Sequence, residues 1–242
     1  MKTLGVIPAR YASTRFPGKP LVDIRGKSMI QRVYEQAKKT TSIKRVIVAT
    51  DDKRIFDHVR TFGGEVMMTS TEHRSGTDRC AEIAAQMTDF EIVINIQGDE
   101  PFIQPQQIDL TVSPLLKNKK AQIATLAKKI TDLKMLRDPN IVKVVCNLNR
   151  QALYFSRNPI PYVRNESPEN WLETGQFYKH IGLYAFKSSV LQEVAQLEPS
   201  SLEKLESLEQ LRWLENGYQI DISFTSQETI GIDRPEDLKQ IL

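Results

Sequence analysis

The sequence predicts an α/β fold: a mainly parallel, doubly wound sheet with a β-rich insertion in its second half. Three observations predict it. Through residues 3–96, short apolar runs alternate with segments of helical period, as parallel strands and their crossover helices do. The helical segments carry recognisable start and stop signals. Beyond residue 121, strand-like runs crowd together with few helical patterns between them.

Strand-like runs fall at residues 3–7, 45–49, 65–68 and 91–96. Ser28 with Gln31 reads as a capping box ahead of Ile30, Val33, Tyr34 and Ala37 on one helical face. Asp51 is placed to cap a helix carrying Ile55, Phe56 and Val59, which Gly63-Gly64 would end. Ser75 with Asp78 opens a third helix, with Cys80, Ile83, Ala84 and Met87 at helical spacing. Strands and helices in that alternation argue for a parallel sheet with right-handed crossovers.

In the second half the strand-like runs are 123–130, 142–146, 152–156 and 181–186, and the polar, Pro-containing stretch 158–176 reads as a long exposed loop. The β-rich insertion, roughly residues 121–190, is expected to cover one end of the sheet and to supply a subunit interface. Ser200 with Glu203 starts a helix expected to run to Asn216-Gly217. Its Leu202, Leu205, Leu208, Leu211 and Leu214 recur every three residues, so the stripe winds around the helix; this is core packing, not a heptad seam. A strand at 218–225 and a closing helix from Pro235 complete the chain. With no linker, low-complexity tract or internal repeat, residues 1–242 read as one domain.

Composition narrows the function classes. A hydrophobic content of 40% and a charged content of 26% are ordinary for a soluble enzyme. No apolar run approaches the ~20 residues of a membrane span, and the chain runs into a strand pattern without a signal-peptide core, so a cytoplasmic protein without membrane insertion is expected. Cys80 and Cys146 lie far apart with no His or Cys at metal-ligand spacing, which favours two buried, reduced thiols over a disulfide or zinc site. The net charge of +3 hides an asymmetry: residues 1–60 hold 14 Lys and Arg against 5 Asp and Glu, a balance of +9, which leaves −6 for the remainder. A nucleic-acid binder would show a longer basic stripe with interleaved aromatics; a small polyanion fits better.

The chemistry concentrates in loops that follow strands. Pro8-Ala9-Arg10-Tyr11-Ala12-Ser13-Thr14-Arg15-Phe16-Pro17-Gly18-Lys19-Pro20 follows the first apolar run, where open α/β sheets bind ligands. It holds three cations and no carboxylate, and it lacks both the P-loop and the dinucleotide glycine patterns. Side chains must therefore do much of the phosphate holding: Arg10 and Arg15 as forks, Lys19 as a point charge, with Ser13 and backbone N–H groups completing the cradle. A triphosphate is the obvious candidate. Gln97-Gly98-Asp99-Glu100-Pro101 follows the fourth run, and Asp99 there suits Mg²⁺, which often takes one or two carboxylates plus substrate phosphate; turn chemistry alone would also explain it. Asp233, before Pro235, is either near-cap chemistry or a second carboxylate for the same ion. Arg74, Ser75 and Gly76 open the third helix, whose N-terminus could hold a nucleobase carbonyl or a phosphate. Arg157 could form a bidentate pair with a substrate carboxylate, while His180, Tyr184, Glu209 and Gln210 could bind sugar hydroxyls or serve structure alone.

In order along nearly the whole chain, the first loop, Ala49-Thr50-Asp51, residues 73–79, 97–101, 154–157, 180–184, 207–211 and 231–238 resemble the 3-deoxy-manno-octulosonate (Kdo) cytidylyltransferases, or CMP-Kdo synthetases. The resemblance implies a fold of the nucleotide-diphospho-sugar transferase type, a homodimer, and transfer of CMP from CTP to Kdo with Mg²⁺ and release of pyrophosphate, in lipopolysaccharide biosynthesis. It implies catalytic roles for Arg10, Arg15 and Lys19. Pro8, Ala9, Arg10, Ala12, Ser13, Lys19, Thr50, Asp51, Arg74, Ser75, Gly76 and Asp99 would bind CTP, and Asp99 and Asp233 the metal. Gln97, Arg157, His180, Tyr184, Glu209 and Gln210 would grip the sugar acid. Arg234 departs from the family pattern, which places a small residue such as Thr after the metal Asp. The rivals are a cytidylyltransferase for 8-amino-Kdo or sialic acid, and a glycosyltransferase, for which a D-x-D motif would be expected in place of Gln97-Gly98-Asp99.

Overall fold

The computed structural model describes residues 1–12, 16–228, 231–232 and 234–240. The chain begins with β1 (Thr3–Ala9), a 3₁₀ turn (Lys19–Leu21), the short pair β2 (Asp23–Ile24) and β3 (Lys27–Ser28), and α1 (Met29–Ala37). There follow β4 (Ile43–Thr50), α2 (Lys53–Thr61), β5 (Val66–Met68), α3 (Gly76–Gln86), β6 (Ile92–Asn95), α4 (Pro105–Lys117) and β7 (Ile123–Lys129). The remainder is α5 (Leu133–Arg137), β8 (Lys143–Cys146), β9 (Ala152–Ser156), α6 (Trp171–Thr174), β10 (Tyr178–Lys187), α7 (Ser188–Ala195), α8 (Ser201–Glu206), α9 (Glu209–Glu215), β11 (Ile220–Thr225) and a 3₁₀ turn (Pro235–Gln240).

Nine of the described strands form one sheet, in the order β11-β7-β10-β6-β1-β4-β5, with β8 and β9 attached at β10. Pairings β1–β4, β1–β6, β4–β5 and β7–β11 are parallel, and β10 runs antiparallel between β6 and β7. The fold class is as the sequence predicts. The β-rich half, however, does not cap an end of the sheet as expected; β7, β10 and β11 extend the same sheet.

Period-two alternation explains why both faces are covered. Leu4, Val6, Ile47, Ala49, Val93, Tyr184 and Phe186 point to one face and pack with α3, α7 and α9 through Ile83, Leu191 and Trp213. Ile7, Ala9, Val46, Val48, Ile92, Ile94 and Leu183 point to the other and pack with α1, α2 and α4 through Val33, Ile55 and Ile108.

Several local expectations are met. Ser75 with Asp78 forms the full capping box of α3, whereas only half of the expected box at α1 forms: Ser28 accepts from Gln31 N at 3.3 Å, but the Gln31 side chain donates to Glu35 Oε1 at 3.0 Å instead of reaching back. Others need correction. Asp52, not Asp51, caps α2, because Asp51 is drawn away to the guanidinium of Arg79. The C-terminal helix is broken in two: Ser207 adopts a left-handed conformation, φ 52°, between α8 and α9. Cys80 is buried as expected, but Cys146 is only half-buried; both are free thiols. The stretch expected to be loop carries the short α6, whose Trp171 stacks on Phe177.

The topology positions the site. From β1 the chain moves through α1 to β4 and β5 on one side, then returns through α3 to β6 on the other. The carboxyl ends of β1 and β6 thus meet at a point where the strand order reverses, and loops leaving there diverge to form a crevice.

Candidate active site

A cavity of about 240 Å³ fills that crevice, lined by Pro8, Ala9, Arg10, Lys19, Pro20, His73, Arg74, Ser75, Gly76, Arg79, Gln97, Gly98 and Asp99. Its floor needs glycine: a Cβ on Gly98 would lie 2.9 Å from the carbonyl oxygen of Pro8, so only a bare backbone lets the two loops approach. One wall is the start of α3. The capping box consumes Ser75 and Asp78, while the first-turn N–H groups of Gly76 and Thr77 have no intrahelical partner by helix geometry, so the wall carries partial positive charge. Arg79, one turn further, is 3% exposed and anchored to Thr69 Oγ1 at 2.6 Å, to Ser70 O at 3.1 Å and to Asp51.

The opposite wall is the first loop. Lys19 Nζ donates to Asp99 Oδ2 at 2.7 Å and to the carbonyl of Ile232 at 2.9 Å. Ile232 in turn donates its N–H to Asp99 O at 3.0 Å and is fully buried beside Ile24 and Met29. Three distant stretches of chain are thereby tied together around one ammonium. Next to Asp99, Glu100 buries its Oε2 without a partner, and loss of solvation, reinforced by the Asp99 charge, pushes its carboxyl up to about 8.

A second polar group lies beyond Gln97, around a β-bulge. The β10–β7 register shifts between Ile181 and Tyr184, a local irregularity that re-aims side chains. Gln97 Nε2 donates to Gly182 O in this bulge at 2.9 Å. His180 Nε2 lies 3.0 Å from Thr125 Oγ1, and burial lowers the imidazole to about 3, so it is neutral. Tyr184, opposite Asn95 in the ladder, buries its hydroxyl without a partner; burial, and then the Glu209 charge, hold that phenol well above its usual range. Asn95 Oδ1 is likewise buried and unpartnered. Glu209 accepts from Thr77 Oγ1 at 2.8 Å, and burial raises its carboxyl despite that bond. The set adjoins the cavity: Gln97 belongs to both, and a Cβ on Gly76 would lie 3.7 Å from Asn95 Nδ2. Buried polar atoms left without partners are what a polyhydroxylated ligand would satisfy.

The model of the cytidylyltransferase family matches residues 4–224. A 3-deoxy-manno-octulosonate cytidylyltransferase of Parabacteroides distasonis is 55% identical over 100% of this chain and 97% of its own length. One of Geobacter sulfurreducens is 47% identical, with 100% and 98% covered. A solved structure of CMP:2-keto-3-deoxy-manno-octonic acid synthetase complexed with CTP superposes with a TM-score of 0.93 at 43% identity, covering 100% of this chain and 97% of that one. This chain belongs to the 3-deoxy-manno-octulosonate cytidylyltransferase family. A 4-diphosphocytidyl-2C-methyl-D-erythritol synthase of Anaerococcus prevotii, at 14% identity and a TM-score of 0.61, shares the fold.

The structure brings most of the predicted residues together. Pro8, Ala9, Arg10, Lys19, Arg74, Ser75, Gly76, Gln97 and Asp99 all line the cavity. His180, Tyr184 and Glu209 form the adjoining group, with Gln210 buried beside Glu209 at the start of α9. Ser13, Arg15 and Asp233 lie outside the described residues. Ala12 is exposed and Thr50 fully buried, and neither lines the cavity; Thr50 Oγ1 accepts from Asp52 N at 3.2 Å. Asp51 acts through Arg79. Arg157 departs furthest from expectation, because its fork is spent on backbone. It donates to Glu206 O at 2.6 Å, Pro139 O at 3.0 Å and Ser207 O at 3.3 Å, and it does not line the cavity. Arg79 and His73 were within reach of sequence reasoning, since both flank the Ser75 capping box. For Arg79 the signal is a cation one helical turn past Ser75, and for His73 a polar ring two residues ahead of it.

Proposed function

We propose that this chain transfers CMP from CTP to the anomeric hydroxyl of Kdo, giving CMP-Kdo and pyrophosphate for lipopolysaccharide biosynthesis. The observation that carries the reading is the adjacency of two chemistries: a cationic, helix-capped cavity suited to a triphosphate, and beyond Gln97 a buried polar group with unpartnered Asn95 and Tyr184 oxygens suited to a sugar acid.

The reaction needs no covalent enzyme intermediate. The anomeric oxygen of Kdo attacks the α-phosphorus of CTP, the bond from that phosphorus to the β-bridging oxygen breaks, pyrophosphate departs, and the hydroxyl proton leaves to solvent. No side chain in the cavity is an evident nucleophile, so rate comes from positioning and from stabilising charge. Arg10 and Lys19, with Arg15 from the same loop, hold the triphosphate and the departing pyrophosphate. Pro8, Ala9, Ala12, Ser13, Thr50, Asp51, Arg74, Ser75, Gly76 and Asp99 complete the CTP site, Thr50 and Asp51 from behind through the α2 cap and Arg79. Gln97, His180, Tyr184, Glu209 and Gln210 orient the sugar acid, with Arg157 bracing the Glu206–Ser207 bend that leads into α9.

The donor set fits Mg²⁺. Asp99 presents a hard carboxylate oxygen to the cavity and already holds a cation, the Lys19 ammonium, at 2.7 Å. Asp99, together with Asp233, would hold the ion, which supplies Lewis-acid polarisation of phosphate oxygens when bound.

Two further proposals concern setting. Among the described residues no helix is long and apolar enough to cross a membrane, and we place the protein in the cytoplasm, where CTP is available. We also propose a homodimer: the β8–β9 hairpin, bridged to β11 at Gln151 and Asp221, carries Leu153, 61% exposed, and Leu148, fully exposed at its turn, apolar positions that a second copy would cover.

Pyrophosphate release from CTP and Mg²⁺, measured with Kdo, 8-amino-Kdo and sialic acid in parallel, tests the function. Release with Kdo is expected to dominate. Release with another acid would reassign the substrate, and no release with any of them would overturn the enzymatic reading.

A further inference from the structure

The first loop is closed at its base by one backbone hydrogen bond, from Gly18 N to Tyr11 O at 3.0 Å. Arg10 immediately precedes that bond and Lys19 immediately follows it, so the bond sets the spacing of two cations that line the cavity. The Tyr11 ring lies flat against the closure. Gly18 has φ 72°, and a Cβ there would sit 3.2 Å from Tyr11 Cζ and Oη. One side of the ring is therefore packed on bare backbone.

Its face is covered by Arg54. The guanidinium carbon lies 3.3 Å from the ring centroid, a cation–π stack. That guanidinium is itself held in a fork by Asp52, with Nε donating to Oδ1 at 3.0 Å and Nη2 to Oδ2 at 2.6 Å. Asp52 is in turn the cap of α2, accepting from Arg54 N at 2.9 Å, and α2 is fixed to the sheet by fully buried Ile55 and Val59. The result is an unbroken relay: sheet, α2, Asp52, Arg54, Tyr11, Gly18, and then Arg10 and Lys19.

We infer that Arg54 is a positioning residue for CTP: by clamping the Tyr11 ring against Gly18 it holds the base of the first loop in register with α2, and with it the spacing of Arg10 and Lys19. The inference rests on the CTP reading of the cavity. Arg54 is 60% exposed and does not line the cavity, so its contribution is indirect.

Calorimetric titration of CTP with Mg²⁺, without sugar acid, tests this in the wild type, Arg54→Ala, Arg54→Lys, Tyr11→Leu and the Tyr11→Leu/Arg54→Ala double variant. An exposed cation–π stack corresponds to roughly a two- to fivefold weakening of CTP affinity in Arg54→Ala. Arg54→Lys is expected to recover part of the loss, and the double variant to bind no worse than Tyr11→Leu alone, because the two residues act as one unit. Unchanged affinity in Arg54→Ala would overturn the inference. So would additive losses in the double variant, which would mean that the Arg54 charge attracts CTP at long range without the stack. If Tyr11→Leu does not fold, the order wild type, Lys, Ala at position 54 still decides, since loss in Ala without recovery in Lys also counts against a stack. A wild type that does not bind CTP would instead overturn the proposed function.

Discussion

Lys19 and Asp99, 80 residues apart in sequence, meet at 2.7 Å on the loops that leave two neighbouring parallel strands. The pair joins the cation proposed to face the phosphates to the carboxylate proposed to hold the metal, so each residue is presented by the other. Its side chains are 14% and 33% exposed, and partly solvated ion pairs of this kind contribute little to stability, about 1 kcal/mol or less.

Lys19→Ala is therefore expected to separate turnover from folding. Removing one donor aimed at developing charge typically costs about 10²–10³ in kcat. The thermal midpoint should stay close to that of the wild type. Steady-state pyrophosphate release and a melting curve on the same preparation check this. Full activity in a folded Lys19→Ala protein would remove the residue from the phosphate site.

Asp99→Asn keeps an oxygen that can accept the Lys19 hydrogen bond but loses the negative charge a divalent ion requires. The Mg²⁺ concentration giving half-maximal pyrophosphate release should rise by about tenfold or more, as for the loss of roughly 1.4 kcal/mol or more of ion binding. An unchanged Mg²⁺ requirement would exclude Asp99 as a ligand.

The parts of this site that were legible in the sequence are those written locally. Arg10 and Lys19 share the loop after the first apolar run, Gln97 and Asp99 directly follow the fourth, and Ser75 with Asp78 announces a helix start on its own. What stayed hidden depends on partners far along the chain. Arg157 looks like a carboxylate-binding fork until Ser207 bends the chain left-handed and delivers the carbonyls of Glu206 and Ser207 to it. Asp51 and Asp52 compete for one cap, and only the position of Arg79 decides between them. Helix α4 is not announced in the sequence because its N-cap position is held by a Gln, Gln104, whose side chain makes no cap bond, and Pro114 interrupts its interior. That proline is tolerated because the carbonyl it leaves unpaired belongs to Leu110, on the solvent side. The antiparallel insertion of β10 between β6 and β7 is a long-range pairing that no local pattern encodes.

His180 predicts a pH dependence of stability. Burial lowers its imidazole from 6.5 to about 3, so between those values the unfolded chain binds a proton that the folded chain refuses. Stability is then present in full above pH 6.5 and is lost as pH falls toward 3, at up to about 1.4 kcal/mol per pH unit. Carboxylates add their own terms in the acid range, so the informative quantity is the difference between the wild type and His180→Asn in urea midpoints from pH 7 to pH 5. The wild type should lose more stability over that range than the variant. Equal slopes would place His180 in contact with solvent.

Arg157 offers the sharpest division between a structural and a binding role. Its three donor nitrogens are taken up by backbone carbonyls of residues 139, 206 and 207, and its own N–H donates to Glu206 Oε2 at 2.9 Å. These bonds tie the end of β9 to the bend between α8 and α9, from which Glu209 and Gln210 project. Arg157→Ala leaves those carbonyls without their donors, at a cost of about 1–3 kcal/mol. Arg157→Lys should recover only part of this, because an ammonium cannot span the three acceptors as a planar guanidinium does. Chemical denaturation measures the stability and initial rates give KM for the sugar acid. A fall in stability with both variants, accompanied by a KM change no larger in Ala than loosening of the α8–α9 bend produces in Glu206→Ala, assigns Arg157 to the scaffold. A rise in KM with stability unchanged would return its guanidinium to the substrate carboxylate.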